Sequence, residues 1–109
     1  MKYIKKYEDN KMYYDKIIIY QGKNWNGEDY PLTIMRINGT PGPTGSRYDY
    51  YVVNELYKLI DGELKYMNVY EPKQISQEQM KKNVLFFTSK LEDAKEMIFI
   101  ISDTKKYNL

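Results

Sequence analysis

Apolar and polar residues alternate at every second position through most of the first half of the chain, and clusters of turn residues interrupt the alternation. A period of two is typical of β-strands with one buried face, and Tyr, Ile and Val, which are frequent in these stretches, favour strands. The pattern predicts strands at 2–7, 12–20 and 31–38. The polar segments 8–11 and 21–29 between them are predicted to be turns, so the first two strands form a hairpin.

The stretch 47–71 fits a helix as well as a pair of strands. In the helical interpretation Gly62 ends the helix, and four apolar residues share one helical face. These four residues are Val53, Leu56, Tyr57 and Ile60.

A β-hairpin about Asp61-Gly62 competes with this helix, because Asp-Gly is a preferred pair for a type I′ turn. The hairpin sets three pairs opposite each other on one face of the sheet, namely Leu59 with Leu64, Tyr57 with Tyr66 and Val53 with Tyr70. Lys58 then faces Lys65, which is unfavourable. We nevertheless expect the hairpin, with a bulge near 54–55, because the alternating segment that follows the turn needs a strand partner.

The pattern changes after Pro72. Ser76 and Gln79 have the spacing of a capping box, which predicts a short helix over 77–82. The apolar segment 83–87 is predicted to be a buried strand. A longer helix is expected to begin at Lys90, because four later residues fall on one helical face. They are Leu91, Ala94, Ile98 and Ile101.

Together these elements predict one α+β domain over 1–109, with a mainly antiparallel sheet of five or six strands, a short helix, and a C-terminal helix packed on one face. A chain of 109 residues that is 42% hydrophobic is long enough for one packed core. Its apolar runs are far shorter than the roughly 20 residues of a membrane-spanning helix, and no secretory signal pattern opens the sequence. We therefore expect a cytoplasmic protein without a membrane partner.

The chain has no cysteine and no histidine. Their absence excludes disulfides, thiolate chemistry, imidazole general bases and metal sites built on Cys or His. We expect a protein that binds no metal and no cofactor and that is not an enzyme, although catalysis by Tyr, Lys and carboxylates stays open.

Residue usage bears on the origin of the chain. The sequence has 13 tyrosines, a single alanine (Ala94) and only two arginines, and such usage is typical of an AT-rich coding sequence. It fits low-GC bacteria and their phages or mobile elements. The formal net charge of +2 is small and spread along the chain, so no overall field favours nucleic acid.

The segment 39–47, GTPGPTGSR, is rich in glycine and proline and lies between two predicted strands. It lacks the lysine and the spacing of a P-loop and has too few triplets for collagen. Two interpretations stay open. One is a plain connection between strands. The other is an anion site that combines Arg36, Thr40, Thr44, Ser46 and Arg47.

Aromatic residues give the second candidate site. Trp25, the only tryptophan, lies in a polar loop, where it either anchors a partner or folds back as a lid on the core. Tyr48 and Tyr50 belong to a tyrosine-rich stretch that is suited to stacking or to partner contact. If the strands form a meander, the Trp25 loop and the Asp61-Gly62 turn share one end of the sheet, and 39–47 lies at the other.

Three functions follow as hypotheses. The first is a small non-enzymatic binding protein that acts on a protein partner, for example a phage or mobile-element inhibitor or accessory factor that antagonises a bacterial defence system. The second is a small-ligand or nucleotide binder that uses the 39–47 loop and its flanking arginines. The third is a single-stranded nucleic-acid-binding protein.

Overall fold

The computed structural model describes residues 13, 15–37, 50–68 and 73–107. The predicted strand at 2–7, the turn at 8–11 and the loop at 39–47 lie outside these residues, so they stay predictions.

Within the described residues, six strands form one antiparallel sheet and two helices lie against it. The strands are β1 (Ile17–Tyr20), β2 (Thr33–Ile37), β3 (Tyr50–Ile60), β4 (Glu63–Met67), β5 (Lys73–Ser76) and β6 (Val84–Thr88). The helices are α1 (Gln77–Asn83) and α2 (Leu91–Tyr107). The strand order is β4-β3-β2-β1-β6, and β5 pairs with β3. This architecture confirms the predicted α+β class, the antiparallel sheet, the short helix and the C-terminal helix.

The hairpin between β3 and β4 is formed, and the helical alternative is wrong for 50–68, the part of the stretch that the structure describes. Asp61 and Gly62 both have positive φ, 52° and 81°, as a type I′ turn requires. Across the ladder, Tyr57 lies opposite Tyr66 and Leu59 opposite Leu64, as predicted. The two tyrosine rings meet edge to face with their centroids 5.1 Å apart.

Strand β3 is long enough to pair with two strands along the same edge. Its first residues pair with β5 and its last five with β4, while β2 pairs along the other edge. Val53 therefore lies opposite Lys73 rather than opposite Tyr70, which corrects that pair of the predicted register. The bulge expected near 54–55 of the hairpin lies instead in the ladder between β3 and β2, because Arg36 pairs with Glu55 and the next residue of β2 pairs with Val53, which leaves Asn54 without a partner on β2.

Both faces of the sheet bury apolar side chains. On the face that packs against α2, here called the α2 face, Ile17, Ile19 and Ile34 contact Ala94 and Ile98. On the opposite face, here called the α1 face, a second core gathers residues of five strands or helices around Met80 of α1. Its buried members are Ile18, Met35, Ile37, Val53, Leu56, Ile75 and Met80.

The segment 83–87 was predicted to be a buried strand, and the prediction of burial is wrong. The strand forms, as β6, but Leu85 and Phe87 are 46% and 40% exposed. The reason is its position, because β6 pairs only with β1 among the described strands and ends the sheet order. An edge strand has one neighbour, so its side chains lack the cover that a central strand receives.

The second core can be tested by truncation of its helical residue. Met80→Ala should lower the free energy of unfolding by about 2–5 kcal/mol, because it removes a fully buried side chain and leaves a cavity. Met67→Ala, at an exposed position of β4, is the matched control and should cost about 0.5 kcal/mol or less. Denaturant unfolding of the three proteins measures both values. Equal costs would contradict a packed core on the α1 face.

Candidate functional site

The connection between β1 and β2 contains a short hairpin that we call the Trp25 loop (Lys23–Asp29). Lys23 and Asp29 form an antiparallel bridge at its base. Inside it, the Asn24 amide donates to the Glu28 carbonyl and the Gly27 amide donates to the Asn24 carbonyl, both at 2.9 Å. Gly27 has φ +84°, a left-handed conformation that favours glycine. The backbone of the loop is therefore held by hydrogen bonds between its own residues.

The side chain of Asn24 fixes the interior of the loop. Its Oδ1 accepts hydrogen bonds from the backbone amides of Asn26 and Glu28, each at 2.9 Å. Its Nδ2 donates to Glu28 Oε1 at 3.0 Å. Asparagine is frequent in turns because its short side chain can bond to the backbone in this way. The loop keeps its shape through its own residues.

Charged groups hold the base of the loop. Lys23 Nζ donates to Asp29 Oδ1 at 2.7 Å, and Lys105 Nζ of α2 lies 3.9 Å from Asp29 Oδ2. Lys105 also donates to the side chain of Gln21. The hydrogen bond from Lys23 lowers the pKa of the Asp29 carboxyl, and the charges of Lys23 and Lys105 act in the same direction. The loop is thereby attached to the C-terminal helix.

At the tip of this ordered loop, the side chain of Trp25 is 92% exposed. The structure thus agrees with the interpretation in which Trp25 is exposed to solvent. It does not agree with the interpretation in which the side chain folds back on the core. An indole on a hydrogen-bonded loop is an effective contact group. A partner can bury its apolar surface without first having to order the loop. The order of β1 to β4 is a meander, so the Trp25 loop and the Asp61-Gly62 turn share one end of the sheet, as predicted.

The residues proposed for an anion site near 39–47 are only partly described. Arg36 lies in β2, where its Nε donates to Glu55 Oε1 at 2.5 Å, so its guanidinium already has a carboxylate partner. The other four residues of that site, Thr40, Thr44, Ser46 and Arg47, lie outside the described residues. Of the tyrosine-rich stretch, Tyr50 begins β3 and Tyr48 lies outside the described residues. The anion site at this loop stays a prediction.

A concave pocket of about 380 Å³ opens on the α1 face, next to the base of the Trp25 loop. Its floor consists of Thr33, Met35, Leu56 and Ile75, all buried. The other lining residues come from strands, from the β1–β2 connection and from α1, namely Tyr20, Gly22, Lys23, Tyr30, Pro31, Lys58, Lys73, Gln74, Gln79 and Asn83. Sequence reasoning missed this pocket because its residues come from distant segments. The only local signal was the predicted approach of Lys58 to Lys65.

Lysine is the only charged residue type in the described lining of the pocket. The three are Lys23, Lys58 and Lys73, and no Asp or Glu stands among the described lining residues. Lys23 is paired with Asp29. Among the described residues, the side chains of Lys58 and Lys73 form no hydrogen bond or ion pair. Within that part of the chain, the pocket thus combines an apolar floor with two cations that have no counter-charge.

The described residues contain no group of Asp or Glu side chains suited to hold a metal ion, and none of their helices has the length and apolar character needed to cross a membrane.

The chain was compared with protein-family models, with curated proteins and with solved structures, and none of them matches it. Function is therefore inferred from the geometry of the Trp25 loop and of the pocket.

The display of Trp25 can be tested by fluorescence, because the chain has one tryptophan. We expect its emission maximum and its quenching by iodide to match those of N-acetyltryptophanamide in the same buffer. Trp25→Ala should change the free energy of unfolding by about 0.5 kcal/mol or less, as for other exposed sites. A blue-shifted emission that iodide does not quench, together with a destabilised variant, would show that the indole packs on the core.

The ion pair at the base of the loop predicts a titration. Lys23→Gln should raise the pKa of the Asp29 carboxyl towards its ordinary value, because the main cause of the lowered pKa is the Lys23 hydrogen bond. Lys105→Gln is the control and should have a smaller effect. Since the pKa is lowered in the folded state, the stabilisation is present above the unfolded pKa and is lost as the pH falls. NMR titration of the side-chain carboxyl measures the shift, and an unchanged midpoint in Lys23→Gln contradicts it.

Proposed function

We propose that this chain is a non-enzymatic binding protein that engages a protein partner through the Trp25 loop. The observation that carries the proposal is the side chain of Trp25, which is 92% exposed on a loop whose shape is fixed by Asn24 and by the Lys23–Asp29 ion pair. Tryptophan is among the residues that most often dominate the energy of protein interfaces.

Energetics support a binding role for this side chain. An aromatic side chain buries about 150–250 Å² at an interface, which corresponds to roughly 4–6 kcal/mol at 25 cal/mol per Å². Folding gains almost none of this, because Trp25 stays in water. A partner gains it at small entropic cost, since the loop is ordered before binding.

The neighbours of Trp25 indicate the form of the interface. Asn26 and Glu28 are exposed beside the indole, and Lys23 and Asp29 at the base neutralise each other. An apolar centre surrounded by polar groups is the usual anatomy of a protein interface. The partner that fits this loop is a protein with an apolar pocket of indole size and a polar border around it.

For the biological setting we propose an inhibitor or accessory factor of a phage or mobile element, acting on a protein of its bacterial host. The support is compositional, namely 13 tyrosines and two arginines in a sequence of AT-rich usage, in a small chain without Cys or His. Proteins of low-GC bacteria, defence systems among them, are therefore the partners to examine first.

The experiment compares three baits in a lysate of a low-GC bacterium: wild type, Trp25→Ala and Phe99→Ala. Phe99 is an exposed aromatic residue of α2 and serves as the matched control. We expect a protein that wild type and Phe99→Ala retain and that Trp25→Ala loses. With that protein purified, Trp25→Ala should weaken binding by about 30-fold or more, which corresponds to a hot spot of about 2 kcal/mol.

Two results would contradict the proposal. One is an identical set of retained proteins for wild type and Trp25→Ala. The other is a purified partner that binds both proteins with the same affinity and leaves the emission of Trp25 unchanged, because its interface would then lie elsewhere on the chain.

A further inference from the structure

We propose that the pocket on the α1 face binds a small phosphorylated ligand of nucleotide size, in the class of a nucleoside monophosphate. This site is distinct from the tip of the Trp25 loop. Its volume of about 380 Å³ lies within the range that is usual for small-molecule sites. The proposal is independent of the partner proposed for Trp25.

The phosphate is assigned to Lys58 and Lys73. Both side chains line the pocket, and neither has a hydrogen bond or ion pair with the residues that the structure describes. Lys58 is half-buried, so its charge is less screened by water than that of an exposed lysine. A bound phosphate would give the ammonium group next to it a charge-assisted hydrogen bond, and the second lysine of the lining would add attraction at longer range.

The register of the hairpin adds a second argument for an anion at this place. Lys58 lies directly opposite Lys65 in the ladder between β3 and β4. Like charges in such a pair destabilise a sheet. A chain selected for stability alone gains nothing from this arrangement, whereas a phosphate beside Lys58 would offset the repulsion.

The apolar floor indicates the chemistry of the part of the ligand that is not phosphate. Met35, Leu56 and Ile75 are each at most 5% exposed at the bottom of the pocket, which suits a flat ring more than a free phosphate ion. Tyr20 and Tyr30 stand at its side, and tyrosine rings are common stacking partners for bases. The floor and the lysines together require a ligand with both an apolar body and an anionic end.

Gly22 and Asn83 line the side of the pocket where the two tyrosines stand. Gly22 lies between the tyrosines, since a Cβ placed on it would be 3.4 Å from Tyr20 Cε1 and 3.7 Å from Tyr30 Cδ2. Asn83 Nδ2 donates to the Tyr20 hydroxyl at 3.0 Å. The amide is thereby oriented and retains its Oδ1 as an acceptor for a base edge.

The test uses the whole chain and measures binding by calorimetry and by thermal shift. The probes are AMP, GMP, CMP and UMP, their four nucleosides and inorganic phosphate, each at low and at high salt. The variants are Lys58→Gln, Lys73→Gln and the double variant, and Lys65→Gln is the control because it removes the same charge outside the pocket. The variants should fold, since neither pocket lysine is paired and the loss of Lys58 relieves its repulsion with Lys65.

At least one nucleoside monophosphate should bind about tenfold more tightly than its nucleoside and than inorganic phosphate, with an affinity that falls as salt rises. The double variant should lose at least about tenfold in affinity, and Lys65→Gln at most about threefold. Lys73→Gln alone carries the test if Lys58→Gln does not fold.

Four outcomes overturn the proposal. They are the absence of binding by all four nucleotides, equal binding of nucleotide and nucleoside, equal binding of nucleotide and inorganic phosphate, and an equal loss in Lys65→Gln and in the pocket variants. Trp25→Ala should bind the nucleotide as wild type does. A failure here therefore leaves the proposal for Trp25 untouched, and the reverse also holds.

Discussion

The burial of β1 on both of its faces is the constraint on which the rest of this structure depends. Ile17, Ile18 and Ile19 are consecutive and each is at most 1% exposed, although neighbouring residues of a strand point to opposite sides. Each side of the sheet must therefore be covered. The 17-residue helix α2 covers one side of β1 and β2, and α1 with the apolar residues around Met80 covers the other.

The two helices cover unequal areas of the sheet, and the pocket lies on the face with the shorter helix. Helix α1 has seven residues, about 10 Å at 1.5 Å per residue, and it adds a single fully buried side chain, Met80, to the second core. Part of the floor, at Met35 and Leu56, faces a concave space instead of a helix. A buried apolar floor beneath a concave space is suited to a ligand, and lysines beside it would favour an anionic one.

The sequence was sufficient where local rules decide the structure. Asp61-Gly62 fixed the β3–β4 hairpin through a turn type that two adjacent residues specify, and Ser76 accepts the Gln79 amide at 3.1 Å as a cap. It was insufficient where burial depends on neighbours. The apolar segment 83–87 looks like a central strand, and only the sheet order makes β6 an edge.

The two candidate sites differ in the same respect. The Trp25 loop was visible in the sequence because its order comes from its own residues, with Asn24 as the organising side chain. The pocket joins Tyr20, Lys58 and Lys73, which no local pattern relates. Lys23 belongs to both, since it lines the pocket and bonds to Asp29 at the base of the loop. That bond removes one cation from the pocket, so the charge available to a ligand rests on Lys58 and Lys73, while the ion pair serves to hold Trp25 in place.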